Sequence, residues 1–347
     1  MMDNLKQLTE ELLNNFKKTY SKVAILKRKF PDDNLLVDAL SFLEKDGKVY
    51  IQRRPVLHEG KLRKNILSGD IVYFDSFPSI RRRTLLYKTG VEYGDFTINH
   101  ILGCSHGCTY PCYAMNISKR YGRVKDYDEW MKPRIVENAI ELLEVELPKF
   151  QGEINFVHLS FMTDPFMYDP VNQRNNPWIE KLTLEIIKKL NFQNIKCTTL
   201  TKSKYPEILV DADFSKDNEY GITLVSLDSD FHAKYEPFSP EPSDRLDALR
   251  KLHEAGLKTW VSLEPYPTPN IVNQDIEGIL RHIDFVDKIV FGRWNYSTKV
   301  NGYKNQKEYY SRCSDKIIEF AKQKGVPFHI KKKTPRSTKE TEVIFRD

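Results

Sequence analysis

Residues 97–113 read TINHILGCSHGCTYPCY, a short apolar strand followed at once by three cysteines. These are Cys104, Cys108 and Cys112, and the whole chain contains only two others. A group of thiols this dense predicts a metal site. Four thiolates would complete a tetrahedral site, whereas three thiolates on a four-iron cluster leave one iron open to a ligand from outside the protein.

Zinc is the alternative metal for this loop. His106 lies between the first two cysteines, and zinc sites with three cysteines and one histidine exist. The loop is too short to fold His106 back easily onto the same metal ion. Gly103 and Gly107 let the backbone fold closely around a bulkier inorganic group. On these residues alone an iron–sulfur cluster, zinc and inert thiols all stay open.

The chain after about residue 93 alternates apolar strands with amphipathic helices, which predicts βαβ units and a parallel sheet. Strands are predicted at residues 97–102, 154–160, 195–200, 221–227, 259–263, 288–291 and 327–330. Helices are predicted at residues 113–121 continuing at 132–147, then at 178–190, 205–210, 242–255, 273–283 and 308–324. Six or seven such units predict a partial (β/α)6-type TIM barrel, with its chemistry at the carboxyl ends of the strands.

The rest of the chain divides around this barrel. Residues 1–92 are predicted to form a small basic α+β domain, with a helical pattern over residues 1–30 and short strands at 48–52 and 70–74. Residues 93–300 form the barrel core. Residues 301–347 add a C-terminal helix, the last strand and a basic tail.

Positive charge is concentrated at the N-terminus. The net charge is +6, and residues 1–90 hold 18 Lys and Arg against 11 Asp and Glu. The densest basic segments are Lys27–Lys29, Arg53–Arg54, Lys61–Lys64 and Arg81–Arg83, with Tyr20, Tyr50, Tyr73 and Phe77 among the interleaved aromatics. Basic residues beside aromatic rings favour a nucleic-acid partner, and an ordinary solvated surface is the alternative.

Composition and termini bear on the cellular location. The chain is 40% hydrophobic and 29% charged, and no apolar run approaches the roughly 18 residues of a membrane span. The N-terminus lacks the charged-then-apolar order of a signal peptide. Five cysteines, three of them clustered, suit a reducing compartment better than a disulfide framework. We therefore expect a cytoplasmic protein with no membrane partner.

Several further segments carry a family resemblance. They are Cys112–Tyr113, TDPF at 163–166, LTKS at 200–203, RLDALRKLHEAG at 245–256 and VSLEP at 261–265. With the three-cysteine loop they resemble the radical S-adenosylmethionine superfamily, and within it the spore photoproduct lyase-like branch. The resemblance covers roughly residues 93–300 and does not reach the N-terminal domain. Pro111 stands where the usual third cysteine would fall, so the motif here is a CX3CX3C variant.

The resemblance implies a chemistry. A [4Fe-4S] cluster would cleave S-adenosylmethionine reductively to a 5'-deoxyadenosyl radical, which abstracts hydrogen from a substrate. A flavodoxin- or ferredoxin-type donor would supply the electron. The branch and the basic N-terminus together favour repair or modification of a nucleic-acid base. The alternatives are modification of a peptide, protein or small metabolite, and, in another class, a non-catalytic zinc-stabilised nucleic-acid-binding module.

The resemblance also implies cofactor contacts after the second and third strands. Ser160, Thr163 and Asp164 lie where this superfamily usually binds the methionyl amino group, and their oxygens suit an ammonium. A turn or helix cap before Pro165 is the structural alternative. Lys202 would place a positive charge near the carboxylate of the cofactor.

Further candidates follow the later strands. Ser226 is expected to hold the methionyl carboxylate and Asp228 the ribose, although Asp228 also begins a turn-like segment. Glu264 ends the fifth strand and would bind a ribose or order the barrel mouth. Tyr113 would stack beside the adenine or the cluster, with simple packing as its alternative.

Three residues are candidates for a radical relay. Lyases of this branch return hydrogen through a cysteine that has no assignable counterpart here. Cys197 and Cys313 are the remaining cysteines, and both positions also suit buried apolar roles. Tyr110, between two cluster cysteines, is the third candidate hydrogen carrier.

Overall fold

The structure, a computed structural model, describes residues 2–53 and 63–337. Two residues of the predicted basic segments, Arg54 and Lys61, lie outside the described residues, as does the end of the predicted tail, residues 338–347. Within the described ranges, no helix combines the length and the apolar character needed to cross a membrane.

The N-terminal part is a small α+β unit with its own hydrophobic core. Its elements are α1 (Met2–Phe16), β1 (Tyr20–Lys22), α2 (Val23–Lys29), α3 (Asp33–Lys45), β2 (Val49–Gln52) and β3 (Ile71–Phe74). The strands pair antiparallel in the order β1-β3-β2. The core of this unit extends from Leu8 to Phe74. The domain boundaries at residues 92 and 300 stay predictions.

The predicted helix over residues 1–30 is only partly correct. Helix α1 ends at Phe16, and Lys18 takes a left-handed conformation (φ 55°) that turns the chain into β1. Helix α3 was not predicted, although Leu36 and Leu40 are buried at helical spacing. Asp32 caps this helix, since its carboxylate accepts a hydrogen bond from the Leu35 amide at 3.0 Å.

The main sheet has eight strands and forms the barrel. They are β5 (Leu86–Lys88), β6 (Phe96–Ile98), β9 (Phe156–Leu159), β12 (Lys196–Thr201), β13 (Glu219–Thr223), β14 (Lys258–Tyr266), β15 (Lys288–Arg293) and β16 (Phe328–Ile330). From β6 to β16 the neighbours follow chain order and are parallel, whereas β5 adds antiparallel at one edge. Sequential parallel order is that of a β/α barrel, because a doubly wound sheet reverses its order. Since β5 and β16 form opposite edges, the predicted partial barrel is confirmed.

Helices alternate with the strands along the rest of the chain. They are α4 (Tyr113–Arg120), α5 (Tyr127–Trp130), α6 (Ala139–Glu146), α7 (Pro177–Phe192), α8 (Ser229–Tyr235), α9 (Pro242–Glu254), α10 (Ile276–His282), α11 (Thr298–Asn301) and α12 (Gln306–Lys324). Two short 3-10 helices span Leu147–Phe150 and Glu207–Val210. The main hydrophobic core lies between these helices and the strands and includes Val157, Ile222 and Ile317.

The structure contains two small sheets that were not predicted from the sequence. Strands β4 (Ser79–Ile80), β7 (Ile101–Leu102) and β8 (Arg134–Val136) form a small sheet in the order β4-β8-β7, and β10 (Tyr168–Asp169) pairs with β11 (Arg174–Asn175). The strand predicted over residues 97–102 is therefore split between β6 and β7. The helix predicted over 132–147 is wrong at its start, because β8 forms there and the Val136 amide donates to the His100 carbonyl at 2.9 Å.

Candidate active site

Three cysteines lie in the loop between β7 and α4, which we call the cysteine loop (residues 103–112). Cys104, Cys108 and Cys112 are free and partly buried, and Cys112 is the N-cap residue of α4. Gly103 has φ +93°, and a Cβ there would lie 2.6 Å from the Trp130 carbonyl oxygen. Only glycine fits this close approach. The Cys104 amide donates to the same carbonyl at 2.9 Å, so the loop begins in a fixed position.

Cys104 and Cys108 lie in buried surroundings that disfavour a negative charge on sulfur. Burial raises the pKa of Cys104 well above its usual range and raises that of Cys108 to about 11. The neighbouring thiols add to the effect, because several thiolates close together repel one another. An iron–sulfur cluster supplies the positive charge that makes thiolates the favoured form. The donor set therefore fits a cluster with three protein ligands.

His106 supports the cysteine loop and does not converge on the cysteines. Its Nε2 accepts a hydrogen bond from the Tyr168 amide at 3.0 Å, and its Nδ1 lies 3.6 Å from the Asp164 carboxylate. Burial lowers the pKa of His106 to about 4, which keeps the ring neutral. Among the residues that the structure describes, no three His, Cys, Asp or Glu side chains, the three cysteines included, are arranged around a single metal ion. The occupied imidazole argues against the zinc alternative.

The segment that ends α8 holds the cysteine loop from the other side. Gly107 has φ +65°, and a Cβ there would lie 2.3 Å from the Phe238 ring. The Phe238 amide donates to the His106 carbonyl at 3.2 Å, and the Thr109 amide donates to the Tyr235 carbonyl at 3.0 Å. These contacts predict a strict requirement for glycine at residue 107.

We expect Gly107→Ala to destabilise the loop and lower its iron content. Gly122→Ala is the matched control, because Gly122 has nearly the same φ, +66°, with no atom within 4 Å of an added Cβ. The control substitution should lower the free energy of unfolding by about 1 kcal/mol, from backbone strain alone. Gly107→Ala should lower the free energy of unfolding by about 1–3 kcal/mol more than the control does, because the Phe238 ring must move. Urea denaturation and iron analysis measure both effects, and equal results for the two variants would contradict the packing argument.

A buried charge network lies behind the cysteine loop, and we call it the Glu236 network (Tyr110, Lys202, Glu236 and Arg245). The Glu236 carboxylate accepts from the Tyr110 hydroxyl at 2.8 Å and pairs with Arg245 at 2.7 Å and with Lys202 at 3.9 Å. Arg245 also donates to two backbone carbonyls and to the Ser239 hydroxyl. Burial alone would raise the pKa of Glu236, but Arg245 and Lys202 lower it to about 2. The Tyr110 hydroxyl also interacts with the Cys108 thiol, which joins this network to the cysteine loop.

Sequence reasoning did not identify Glu236 or Arg245 as part of the site. One signal was present, since Arg245 lies at helical spacing from the buried Leu249 and Leu252 and is itself 1% exposed. A charged residue on the apolar side of a helix needs a buried partner. The partner cannot be read from the helix, because Glu236 lies outside it.

Asp164 ties two strand-end loops together. Its Oδ1 accepts from the Thr201 hydroxyl at 2.7 Å and from the Phe166 amide at 2.9 Å, and its Oδ2 accepts from the Lys202 amide at 2.7 Å. The hydrogen bond from the Phe166 amide is of the turn-capping kind that sequence analysis gave as its alternative, whereas the bonds from Thr201 and Lys202 were not predicted. Its predicted contact with the cofactor stays a prediction.

Two hydroxyls lie near Asp164 on the same loop. Ser160 has a left-handed φ of 64°, and its hydroxyl lies 3.3 Å from the His100 Nδ1. The Thr163 hydroxyl is buried and has no hydrogen-bond partner among the described residues. A buried hydroxyl without a partner is costly unless a ligand satisfies it, so Thr163 is the stronger cofactor candidate of the two.

The candidates after the fourth strand are close together and hydrogen-bonded to the backbone. Asp228 caps α8 through a 2.6 Å hydrogen bond from the Phe231 amide, and the Ser226 hydroxyl accepts from the Asp228 amide at 3.1 Å. Their cofactor contacts stay predictions, and the turn expected at Asp228 is the start of a helix.

Glu264 and Tyr113 lie at the barrel mouth. The Glu264 carboxylate is 3.7 Å from the Lys331 ammonium, and burial raises the pKa of Glu264. It lies across Gly292, where a Cβ would be 2.7 Å from the carboxylate carbon. The Tyr113 hydroxyl donates to the Phe161 carbonyl, and the residue is 48% exposed. Both residues remain proposals for cofactor binding, and Lys331 is a basic neighbour that the sequence did not indicate.

The other two cysteines lie in the main hydrophobic core. Cys197 is 1% exposed on β12, with its sulfur 3.3 Å from the Asn218 side-chain oxygen. Cys313 is 5% exposed on α12. Both surroundings match the apolar alternative, and the relay role of Cys197, Cys313 and Tyr110 stays a prediction.

The barrel interior contains polar groups that sequence analysis missed. His158, Thr198 and Trp260 are buried, and their side-chain polar atoms have no hydrogen-bond partner among the described residues. His158 stacks on Phe161 at 3.6 Å between ring centroids, and burial lowers the pKa of His158 to about 3. Trp260 belongs to an aromatic cluster separate from the main core. These unpaired polar groups lie on the inner side of the barrel strands, opposite the main hydrophobic core.

An open barrel with three cysteines after its first strand defines a class of enzyme built around a metal cofactor. Residues 98–283, more than half of the chain, match the family model of the Radical SAM superfamily. The protein belongs to the radical SAM superfamily and is a radical SAM enzyme. Enzymes of this superfamily contain an iron–sulfur cluster, bind S-adenosylmethionine and need an electron donor. Cys104, Cys108 and Cys112 fit a CX3CX3C motif.

Similar proteins include two relatives and one group of solved structures. An uncharacterized protein of Acidianus two-tailed virus is 29% identical over 225 residues, 59% of this chain and 69% of that protein. An uncharacterized protein of Methanocaldococcus jannaschii is 29% identical over 205 residues, 58% of this chain and 70% of that protein. Spore photoproduct lyase with bound AdoMet and dinucleoside spore photoproduct superposes with a TM-score of 0.53 at 16% identity, covering 72% of this chain and 80% of that chain. This likeness confirms the predicted fold.

Proposed function

We propose that this enzyme carries a [4Fe-4S] cluster on Cys104, Cys108 and Cys112 and repairs or modifies a nucleic-acid base. The three free thiols in one loop at the barrel mouth, within the matched region, carry the proposal. When bound, the cluster and S-adenosylmethionine supply a 5'-deoxyadenosyl radical that abstracts hydrogen. A cytoplasmic flavodoxin- or ferredoxin-type protein supplies the electron.

The protein residues bind and orient the cofactor in this proposal. The buried Thr163 hydroxyl and the neighbouring Ser160 accept hydrogen bonds from the methionyl ammonium. Lys202 keeps a positive charge beside the cysteine loop, balanced by Glu236. Glu264 at the mouth accepts from the ribose hydroxyls.

The barrel interior serves the substrate. His158 and Trp260 are buried side by side, and their ring nitrogens have no hydrogen-bond partner among the described residues, so they are the groups inside the barrel that a base could satisfy. Two further observations support nucleic acid as the substrate. The surplus positive charge lies in the N-terminal quarter of the chain, and the similar spore photoproduct lyase was solved with a dinucleoside.

Anaerobic turnover tests the proposal in two stages. Reduced, cluster-loaded protein with S-adenosylmethionine should form 5'-deoxyadenosine without any nucleic acid. Addition of the substrate nucleic acid should then change the mass of a base after digestion to nucleosides. Formation of 5'-deoxyadenosine with unchanged bases across damaged and undamaged DNA and RNA would contradict the substrate while leaving the cofactor chemistry in place.

A further inference from the structure

One face of the sheet in the N-terminal unit is covered by helices, and the other is exposed at its β1 edge. Val72 and Phe74 on β3 are fully buried against the helices. On the opposite face, the register places Tyr20 and Tyr50 on either side of Tyr73. Ring centroids are 5.5 Å apart for Tyr20 and Tyr73 and 6.2 Å for Tyr50 and Tyr73. We call this row of three rings the tyrosine face.

The tyrosine face extends from solvent to the cysteine loop. Tyr20 is 69% exposed and Tyr73 is half-buried, so the outer rings are open to a partner. Tyr50 packs against Phe77 at 4.4 Å between centroids. Phe77 belongs to an apolar cluster in which Cys104 is also packed. A ligand held on the outer rings would therefore lie on the same side of the molecule as the candidate cluster.

Lysines surround the exposed end of the tyrosine face. Lys17 and Lys18 lie in the turn before β1, separated from it by Thr19, and Lys22 lies two residues after Tyr20 on the same face of the strand. All three are exposed and, within residues 2–53 and 63–337, have no ion-pair partner. Asp75, at the end of β3, is the acidic neighbour. Exposed rings with unpaired lysines suit the bases and phosphates of a single strand.

The helix pair beside this sheet does not suit a duplex groove. Helices α2 and α3 are joined by three residues, as in a helix-turn-helix, whose second helix enters the major groove. The exposed side of α3 carries Asp33, Asn34 and Asp38. Carboxylates there repel phosphates, and Lys27 of α2 is already paired with Asp33 at 2.5 Å.

We infer that the tyrosine face binds single-stranded nucleic acid, with Tyr20 and Tyr73 stacking on bases and Lys17, Lys18 and Lys22 contacting phosphates. The inference rests on the proposed function, because it assigns the surface that holds the substrate strand. It adds that recognition is separate from the barrel and favours single strands over duplexes.

Fluorescence anisotropy with the full-length, cluster-loaded protein tests the inference. The probe is an oligothymidylate of about 15 nucleotides, with a duplex of equal length for comparison. Tyr20→Ala should weaken single-strand binding about tenfold, the loss of one stacked base. The triple variant Lys17→Gln, Lys18→Gln, Lys22→Gln should reduce the slope of log K against log salt by about two.

Matched controls remove general effects of charge and aromatic content. Phe192→Ala removes an aromatic ring that is 84% exposed on α7. Lys299→Gln, Lys304→Gln, Lys307→Gln removes three exposed lysines near the start of α12. Both controls should bind like the wild-type protein.

Four outcomes would overturn the inference. The Tyr20 and lysine variants could bind the single strand like the wild-type protein, or the control variants could lose as much affinity as they do. The wild-type protein could bind the duplex more tightly than the single strand, or the Tyr20 and lysine variants could bind the oligonucleotide normally but be reduced more slowly by an acidic flavodoxin. The last would make the surface a protein docking site. Formation of 5'-deoxyadenosine, measured without nucleic acid, separates failure of this surface from failure of the cofactor chemistry. If the Tyr20 and lysine variants modify a base as well as the wild-type protein does, the tyrosine face is not the binding surface, and the proposed function of the enzyme still stands.

Discussion

Replacement of Cys104, Cys108 or Cys112 by alanine is expected to reduce bound iron to background and to abolish formation of 5'-deoxyadenosine. A cluster held by three thiolates loses one iron ligand in each variant, and the loop offers no other donor, because both ring nitrogens of His106 are engaged. Iron and sulfide analysis and the visible absorbance of anaerobically prepared protein measure the first effect. Chromatography of reduced samples with S-adenosylmethionine measures the second.

The other two cysteines provide the matched control. Cys197→Ala and Cys313→Ala remove a thiol of the same kind from the hydrophobic core, so both variants should keep their full iron content. Full iron in any one loop variant would contradict the ligand assignment. Loss of iron in the Cys197 variant would show that cluster retention depends on core packing as well. Zinc in place of iron in protein made with both metals would revive the zinc alternative.

Glu236→Gln is expected to be the most destabilising single change outside the cysteine loop. The substitution keeps the shape of the side chain but leaves the charges of Arg245 and Lys202 without their buried partner. Breaking a buried ion pair in this way costs about 3–5 kcal/mol. The Tyr110 hydroxyl also loses a charged acceptor, so the cysteine loop should hold its cluster less tightly. The urea midpoint and the rate of iron loss to a chelator measure the two effects.

Two further variants test whether the loss of stability in Glu236→Gln comes from its unpaired buried charges. One breaks an exposed ion pair, and the other adds a second substitution within the network. Glu207→Gln breaks the pair with Lys251, which is open to solvent, and should leave the urea midpoint unchanged. Adding Lys202→Met to Glu236→Gln should recover part of the lost stability, because one of the two uncompensated charges is removed while Arg245 keeps its hydrogen bonds to Pro240, Thr223 and Ser239. A Glu236→Gln protein as stable as the Glu207→Gln protein would show that the network is not a structural support.

Much of the barrel could be predicted from the sequence because its signals lie in neighbouring residues. The seven parallel strands are short apolar runs between amphipathic helices, and each prediction lies close to an observed strand. The cysteine motif is equally local, since its three ligands lie within nine residues. Errors arose where pairing partners decide the local structure: residues 134–136 form β8 because strands β4 and β7 pair with it on either side.

The roles of individual polar residues were less predictable for the same reason. The carboxylate of Asp164 is chemically suited to bind an ammonium group. In the folded chain, however, it accepts hydrogen bonds from the Thr201 hydroxyl and from the Lys202 amide, at the end of the next barrel strand. A carboxylate has few acceptor sites, and its role depends on which donors the fold brings to them. Thr163, one residue earlier, is the hydroxyl left without a partner among the described residues.

The sequence alone therefore determined the class of fold and the cluster loop, because both are encoded in the spacing of consecutive residues. Tertiary structure decided how the loop is supported and what surrounds it. Glu236 accepts a hydrogen bond from the hydroxyl of Tyr110, which lies 126 residues earlier in the chain. Tyr20 and Tyr73 are in contact only because β1 and β3 pair. Such contacts depend on the course of the backbone between them, and no local pattern records that course. The three cysteines are part of the motif that identifies the superfamily, and only the folded chain brings the buried charges of the Glu236 network beside them.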